Sequence, residues 1–284
     1  MMARKVLAAA LAAALLAGTP ALAQQNDAAA AVALLELDRA AEAVDILRPL
    51  AEAGDAAVQL ILGQLYREGR GVTEDPAEAF RLVSAAAAQG APEAQVELAS
   101  LYFTGTGTAR NLEEAARYYR LAADQGFAVA QVSLGIRYRN GEGVPADDAE
   151  ANRLFNLAAG QGNAAGQYQV GLAYANARGV PQDFVRAIEM MQLAAEQLYV
   201  PAMYTLGVAY RAGQGVTVSA IESFRWFLTA QVLANQQPGG PIIEAVTEAA
   251  RHLSPSDQDR IGYEVYDWLV ARGAIEATPV TPAP

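Results

Sequence analysis

Apolar positions in this chain follow two superposed periods, one of a helix turn and one of 36 residues. Val58, Ile61, Leu62 and Leu65 fall on one face of a predicted helix, and Tyr66 ends the group. Steps of 36 residues carry that tyrosine onto Tyr102, Tyr138, Tyr174 and Tyr210. Because a fixed period of 20–50 residues is the signature of stacked structural units, the pattern predicts five 36-residue repeats over residues 55–235.

Each repeat is predicted to contain two helices joined by a glycine turn. The first helix ends where Gly69 suits a left-handed cap, and Gly71 closes the turn. The second helix begins at a side chain that can accept a hydrogen bond from a free N–H; the five are Asp75, Asn111, Asp147, Asp183 and Ser219. A glutamate three residues later, in four of the five repeats, favours a capping box or complements the helix dipole.

The repeated motif resembles the Sel1-like repeat family, a cousin of the tetratricopeptide repeats. It reads Ala/Gly-Gln-x-x-Leu-Gly-x-x-Tyr-x-x-Gly-x-Gly-Val, then Asp-x-x-x-Ala and Ala-Ala-x-x-Gly. The third repeat matches best, at Ala130-Gln131, Leu134-Gly135, Tyr138, Gly141, Gly143-Val144, Asp147, Ala151, Ala158-Ala159 and Gly162. The departures are Ala99, Ala177 and Thr108. The resemblance implies an all-α fold, a right-handed α-solenoid whose concave face binds protein or peptide.

Segments outside the repeats are predicted to cap the array or to lie outside the fold. Residues 24–54 are expected to be an N-terminal cap or divergent repeat, and residues 236–273 to form C-terminal capping helices. Residues 274–284 end in ATPVTPAP, which lacks core-forming side chains, and are expected to be a disordered tail.

The first 23 residues have the pattern of a secretory signal. Arg4 and Lys5 precede an apolar run over residues 6–17, and Ala21-Leu22-Ala23 is a small-x-small cleavage site. We therefore expect cleavage between Ala23 and Gln24, a periplasmic or secreted product, and no stable membrane insertion. An uncleaved anchor or a buried helix is the alternative.

Composition excludes several classes of function. Without Arg4 and Lys5 the 20 basic residues fall to 18 against 31 acidic ones, a net charge of −13, which disfavours nucleic acid as a partner. The chain has no cysteine, and Lys5 is its only lysine, so thiol, Schiff-base and phosphate-loop lysine chemistry are excluded. His252 is the only histidine and has no second histidine or cysteine with which to bind metal. A carboxylate pair of the glycosidase type stays open because acids are numerous. We expect no enzyme activity, no cofactor, no metal and a monomer.

The candidate site is the face of the first helices that the resemblance implies to be concave. Positions offset from the core predict a groove with aromatic and arginine side chains, which are the residue types that anchor interfaces. The predicted partner-binding residues are Arg67, Phe103, Arg139, Tyr168, Tyr204 and Arg211. Arginines suit a partner segment that carries carboxylates, so an acidic protein or peptide is the expected ligand; a solvated rim is the alternative.

A non-enzymatic periplasmic scaffold or adaptor is therefore the predicted function. Two other readings remain, and the family resemblance suggests the first of them. One is a periplasmic regulator of a membrane sensor kinase, and the other is an envelope protein associated with peptidoglycan.

Overall fold

The computed structural model describes residues 22–234 and 240–276. Within this part the chain is helical, with turns between helices and no strand. The signal-peptide prediction falls almost wholly on residues 1–21, outside the described residues, as do residues 235–239 and 277–284. Ala274 and Ile275, from the segment predicted as a tail, pack against an apolar cluster that includes Leu269.

The fourteen helices of the described residues follow one another in antiparallel pairs. They are α1 Leu22–Glu36, α2 Ala40–Glu52, α3 Ala56–Glu68, α4 Pro76–Ala88, α5 Pro92–Thr104, α6 Leu112–Asp124, α7 Ala128–Asn140, α8 Asp148–Gly160, α9 Ala164–Ala175, α10 Phe184–Glu196, α11 Val200–Ala212, α12 Ala220–Ala234, α13 Pro241–Ala250 and α14 Pro255–Ala271. Two compact units divide the chain after Asp147, so α1–α7 belong to the first unit and α8–α14 to the second.

Alanine and glycine let the two helices of a repeat approach closely. In the first repeat Gly63 of α3 faces Val83 and the carbonyl oxygen of Ala79 on α4, so a Cβ on Gly63 would lie 2.8 Å from the Val83 side chain. In the last repeat the equivalent Gly207 faces the ring of Phe227, which is wholly buried. The space left by each glycine is therefore filled by a large side chain of the second helix.

The start of the second helix is capped as predicted, but the capping box does not form. Asp75 accepts a hydrogen bond from the Glu78 N–H, and its own N–H donates to the carbonyl oxygen of Tyr66 at 2.9 Å. Because the Asp75 N–H already has this acceptor, the carboxylate of Glu78 does not bind it. Glu78 pairs with Arg81 instead. The N–H of the cap donates to the tyrosine carbonyl in every repeat: Asn111 to Tyr102, Asp147 to Tyr138, Asp183 to Tyr174, and Ser219 to Tyr210.

The second glycine of the turn sits against the preceding repeat. Gly107 has a φ of +68°, and a Cβ there would lie 1.9 Å from the carbonyl oxygen of Pro76, at the start of α4. Gly71, Gly143 and Gly215 approach Ala40, Leu112 and Phe184 in the same way, each at the first residues of an earlier second helix. Both the left-handed φ and the missing side chain are required at this contact.

Pairs of one buried and one exposed glutamine form a second polar contact that recurs with the repeat. The side-chain N–H of Gln89 donates to Oε1 of Gln59 and to the carbonyl oxygen of Gly54, each at 3.0 Å. Gln125 and Gln95 repeat the pair at 2.9 Å, and Gln197 and Gln167 at 2.8 Å. In the fifth repeat the two positions are Met203 and Leu233, so both polar partners are replaced by apolar residues together.

We expect Gly107→Ala to destabilise the protein by at least ~2 kcal/mol, because the new Cβ meets backbone and the φ is unfavourable for alanine. Gly160→Ala is the control, since a Cβ there meets nothing within 4 Å. Urea unfolding monitored by circular dichroism measures both. Equal midpoints for the two variants would contradict the close contact.

We expect Gln95→Met to cost ~1–2 kcal/mol, because Oε1 of Gln95 no longer accepts from Gln125 in a buried place. Gln125 keeps its bond to the Gly90 carbonyl oxygen, which limits the loss. Thermal unfolding compares this variant with Gln64→Met, a half-buried glutamine outside the pairs. A larger loss of thermal stability in Gln64→Met than in Gln95→Met would contradict a stabilising role of the glutamine pair.

Candidate functional site

The predicted partner-binding residues all lie on first helices of the repeats, and the two units hold three each. Arg67, Phe103 and Arg139 are on α3, α5 and α7 of the first unit. Tyr168 is on α9, and Tyr204 and Arg211 are on α11 of the second unit. Arg211 is exposed and the other five are partly buried.

Arg67 is already engaged with carboxylates of its own chain. Its Nη1 pairs with Oε1 of Glu97 on α5, and its Nη2 lies 3.2 Å from Oε1 of Glu68. The side chain of Glu97 is only 16 % exposed, and that of Arg67 is 32 % exposed. This arginine therefore links two successive first helices, a role that the sequence pattern did not predict.

Two guanidinium groups lie close to the ring of Phe103. The Cζ atom of Arg137 is 4.0 Å from the centroid of the Phe103 ring, and that of Arg110 is 5.5 Å from it. The Nε of Arg110 also donates to the carbonyl oxygen of Phe103 at 3.0 Å. Attraction between a cation and the face of an aromatic ring stabilises such an arrangement.

Arg137 is the residue of this site that sequence reasoning missed. It occupies the repeat position where Leu65 and Leu101 are buried, and its side chain is 14 % exposed. Its Nε lies 3.0 Å from Oε2 of Glu142, in the turn that follows α7. A charged residue at a position that is leucine in other repeats was the signal that could have found it.

The second unit carries an aromatic surface of a different kind. The rings of Tyr168 and Tyr199 are 5.4 Å apart, and the hydroxyl of Tyr168 lies 3.4 Å from that of Thr205. The ring of Tyr204 is 5.4 Å from that of Phe227. The Arg211 guanidinium lies 5.7 Å from the same Phe227 ring. Here the predicted residues contact aromatic neighbours and not carboxylates.

Burial raises the pKa values of two groups that interact with Arg67 or Arg137 in the first unit. Desolvation raises the pKa of Glu97 above its ordinary value of 4.5, although the charge of Arg67 acts in the opposite direction. Burial likewise raises the pKa of the Tyr119 hydroxyl, which the positive charge of Arg137 opposes. Both groups belong to the half-buried network around Arg67 and Arg137, where a low dielectric strengthens each charge interaction.

The described residues lack the geometry that a metal site or a membrane-spanning helix requires. No three His, Cys, Asp or Glu residues come together there as a metal ion would require. His252 is exposed on the segment after α13, with its Nε2 3.9 Å from Oε1 of Glu248. None of the helices in residues 22–234 and 240–276 combines the length and apolar character that crossing a membrane demands.

These features define a helix-turn-helix repeat protein of the all-α solenoid class. A model of the Sel1 repeat matches five consecutive stretches, residues 56–90, 92–127, 128–163, 164–197 and 200–230. The chain belongs to the Sel1 repeat family. This confirms the resemblance on which the sequence analysis relied. Members of this family are generally scaffolds for protein–protein interaction and are typically non-catalytic.

Solved structures agree with this assignment. A Sel1 repeat protein from Oxalobacter formigenes is 26 % identical with a TM-score of 0.71, and the alignment covers 84 % of this chain and 99 % of that one. The protective antigen c5321 of uropathogenic Escherichia coli is 24 % identical with a TM-score of 0.50, over 86 % of this chain and 61 % of that one. The immunity protein PA5088 of Pseudomonas aeruginosa is 19 % identical with a TM-score of 0.51, over 94 % and 91 %. No curated protein sequence matches the chain.

The raised pKa of Glu97 leads to a pH-dependent stability difference. The native state holds this proton more tightly than the unfolded chain does, so the stabilising contribution is complete below pH 4.5 and is lost as pH rises through the folded-state pKa. We therefore expect wild type to gain stability relative to Glu97→Gln as pH falls from neutral toward 4.5. Arg67, Glu68 and Tyr119 are the charged or titratable groups that act on Glu97 or face it.

Urea unfolding of both proteins across that pH range measures the difference. Glu113→Gln, which removes an exposed carboxylate from α6, controls for the general effect of one charge. If the difference in unfolding free energy between wild type and Glu97→Gln stays constant with pH, the expected effect of burial on Glu97 is contradicted.

Proposed function

We propose that this protein is a non-enzymatic, exported scaffold that binds a segment of another protein along the first helices of its repeats. The observation that carries the proposal is the partial exposure of Phe103, Tyr168 and Tyr204 on those helices, where apolar core positions are otherwise buried. Aromatic side chains with arginines beside them are the groups that dominate the binding energy of interfaces.

The two units support different contacts in this proposal. In the first unit Arg67, Phe103 and Arg139 would offer polar and cation–ring contacts, so a partner segment with carboxylates fits best. In the second unit Tyr168, Tyr204 and Arg211 would offer mainly apolar area with hydroxyl groups at its edge. Arg67 is already paired with Glu97, so a carboxylate of the partner would have to displace Glu97. This competition reduces the contribution of Arg67 to the binding free energy.

Export is proposed from the N-terminal sequence. The basic pair, the apolar run and the small-x-small site support cleavage between Ala23 and Gln24, and hence a periplasmic or secreted scaffold. A monomer is the proposed state, and a peptide or protein rather than nucleic acid is the proposed partner, given the acidic net charge.

Pull-down from envelope extracts tests this function and separates its alternatives. A sensor-kinase ectodomain among the captured proteins would favour the regulator, and cell-wall enzymes or the sacculus itself would favour an envelope role. Absence of any specific capture by the wild-type protein would overturn the scaffold proposal.

We expect Phe103→Ala and Tyr204→Ala each to weaken capture of the recovered partner about tenfold or more, as loss of an aromatic anchor does. Tyr263→Ala, which removes a 65 % exposed tyrosine from α14, is the matched control. Affinity is measured by titration after circular dichroism has shown that the variants fold. Equal losses in all three variants would mean that the first-helix aromatics have no special role.

A further inference from the structure

Phe103, Arg110 and Arg137 form a compact group in the first unit that we call the Phe103 clamp. Arg137 comes from α7, Phe103 from α5, and Arg110 from the turn between α5 and α6. One guanidinium lies 4.0 Å and the other 5.5 Å from the centroid of the same ring. A single partly exposed aromatic ring thus has two cations in contact with it.

The donors of the clamp are only partly used. Nε of Arg137 is 3.0 Å from Oε2 of Glu142, but neither buried atom makes an aligned hydrogen bond. Nε of Arg110 is bound to the Phe103 carbonyl oxygen. Within residues 22–234 and 240–276 the terminal amino groups of both arginines have no hydrogen-bond acceptor, and Arg110 has no ion pair.

Arg137 occupies a position that is apolar in the other four repeats. Leu65 and Leu101 fill the equivalent place in the first two repeats, and Ala173 and Ala209 fill it in the last two. All four are buried and apolar. An arginine at this position loses hydration and gains contacts with only one carboxylate and one aromatic ring. An ion pair taken out of water is often no better for stability than an apolar residue of similar volume. Packing alone therefore does not account for Arg137.

We propose that the Phe103 clamp is a receptor for the side-chain carboxylates of an acidic partner segment. The free amino groups of Arg137 and Arg110 would donate to the carboxylate, and contact with the ring of Phe103 would orient both planar guanidiniums. Charge complementarity at the clamp selects the acidic segment, since Arg137 has one carboxylate beside it, Glu142, and Arg110 has no ion pair within residues 22–234 and 240–276. The proposal rests on the scaffold function and names the chemistry of its partner at one place.

Short peptides of defined charge provide the test. The 15N-labelled protein is titrated with acetyl-Gly-Glu-Glu-Glu-Gly-amide and with its glutamine counterpart, while the Nε–Hε signals of the arginines are followed by NMR. A third peptide, acetyl-Gly-Gln-Gln-Gln-Gly with a free terminal carboxylate, separates a chain terminus from acidic side chains. Arg137→Lys and Arg110→Gln assign the two signals.

The expected result is a saturable shift of the Arg137 and Arg110 signals with the glutamate peptide only. Arg137→Leu, which restores the residue type of the first two repeats, should keep the unfolding midpoint or raise it and weaken binding about tenfold. Arg137→Lys should also weaken binding, because an ammonium cannot pair bidentately. Arg117→Leu is the matched control: Arg117 lies 4.1 Å from the ring centroid of Tyr118 but is already bound to Glu114.

Three results would overturn the proposal. Equal shifts with the glutamine peptide would show that charge is not recognised, and shifts only with the free terminus would assign the clamp to chain ends. A loss of binding in Arg117→Leu as large as in Arg137→Leu would make the effect nonspecific. Each of these outcomes leaves the scaffold function standing if the wild type still captures a partner from extracts, whereas no capture at all removes the scaffold itself.

Discussion

The close approach of each turn to the second helix of the preceding repeat is the contact on which the repeat structure depends. A turn glycine touches backbone at the start of an earlier second helix, and Gly107 leaves no space for a side chain against Pro76. Backbone-to-backbone contact of this kind fixes the distance between repeats more strictly than side-chain packing does, because no rotamer can adjust it. The tyrosine carbonyl then accepts the N–H of the next cap, so the turn and the helix that follows it are held together.

A second, polar layer of repeat contacts lies beside this glycine layer. The glutamine pairs bind carbonyl groups near helix ends and give the buried member of each pair a hydrogen-bond donor. The fifth repeat shows that the pairs act as units, since Met203 and Leu233 replace both members together. That repeat also has Leu198 at a φ of +64°, where earlier repeats have glycine, and packing of Leu198 into two apolar clusters offsets the strain.

Because backbone contacts and small residues hold the repeats together, the side chains at the outer positions of the first helices can differ from repeat to repeat. In the first unit they carry a half-buried network of arginine, glutamate and aromatic rings. In the second they carry tyrosines in contact with one another and with Phe227. Such variation on a constant frame is what allows one repeat type to recognise different partners, because specificity comes from the side chains that are not needed for stacking.

The repeat period, the helix pairs, the caps and the turns were all determined by the sequence itself. They depend on local chemistry, namely glycine where φ is positive, a cap before each second helix and apolar residues at helical spacing. The site could be predicted only in part. Helix spacing placed Phe103, Tyr168 and Tyr204 at outer, partly exposed positions, but it could not tell that Arg67 pairs with Glu97 or that Arg137 lies over Phe103.

Those contacts join residues about 30 positions apart on neighbouring first helices, and their direction depends on how the helices stack and on which rotamers the neighbours leave open. Periodicity treats equivalent positions in all repeats alike, whereas the tertiary structure shows one such position holding a buried leucine, a buried alanine or a partly buried arginine. The packing of adjacent helices sets the burial of a charged side chain and its distance from other groups. Packing therefore determines whether its hydrogen-bond donors bind within the chain or stay available to another molecule.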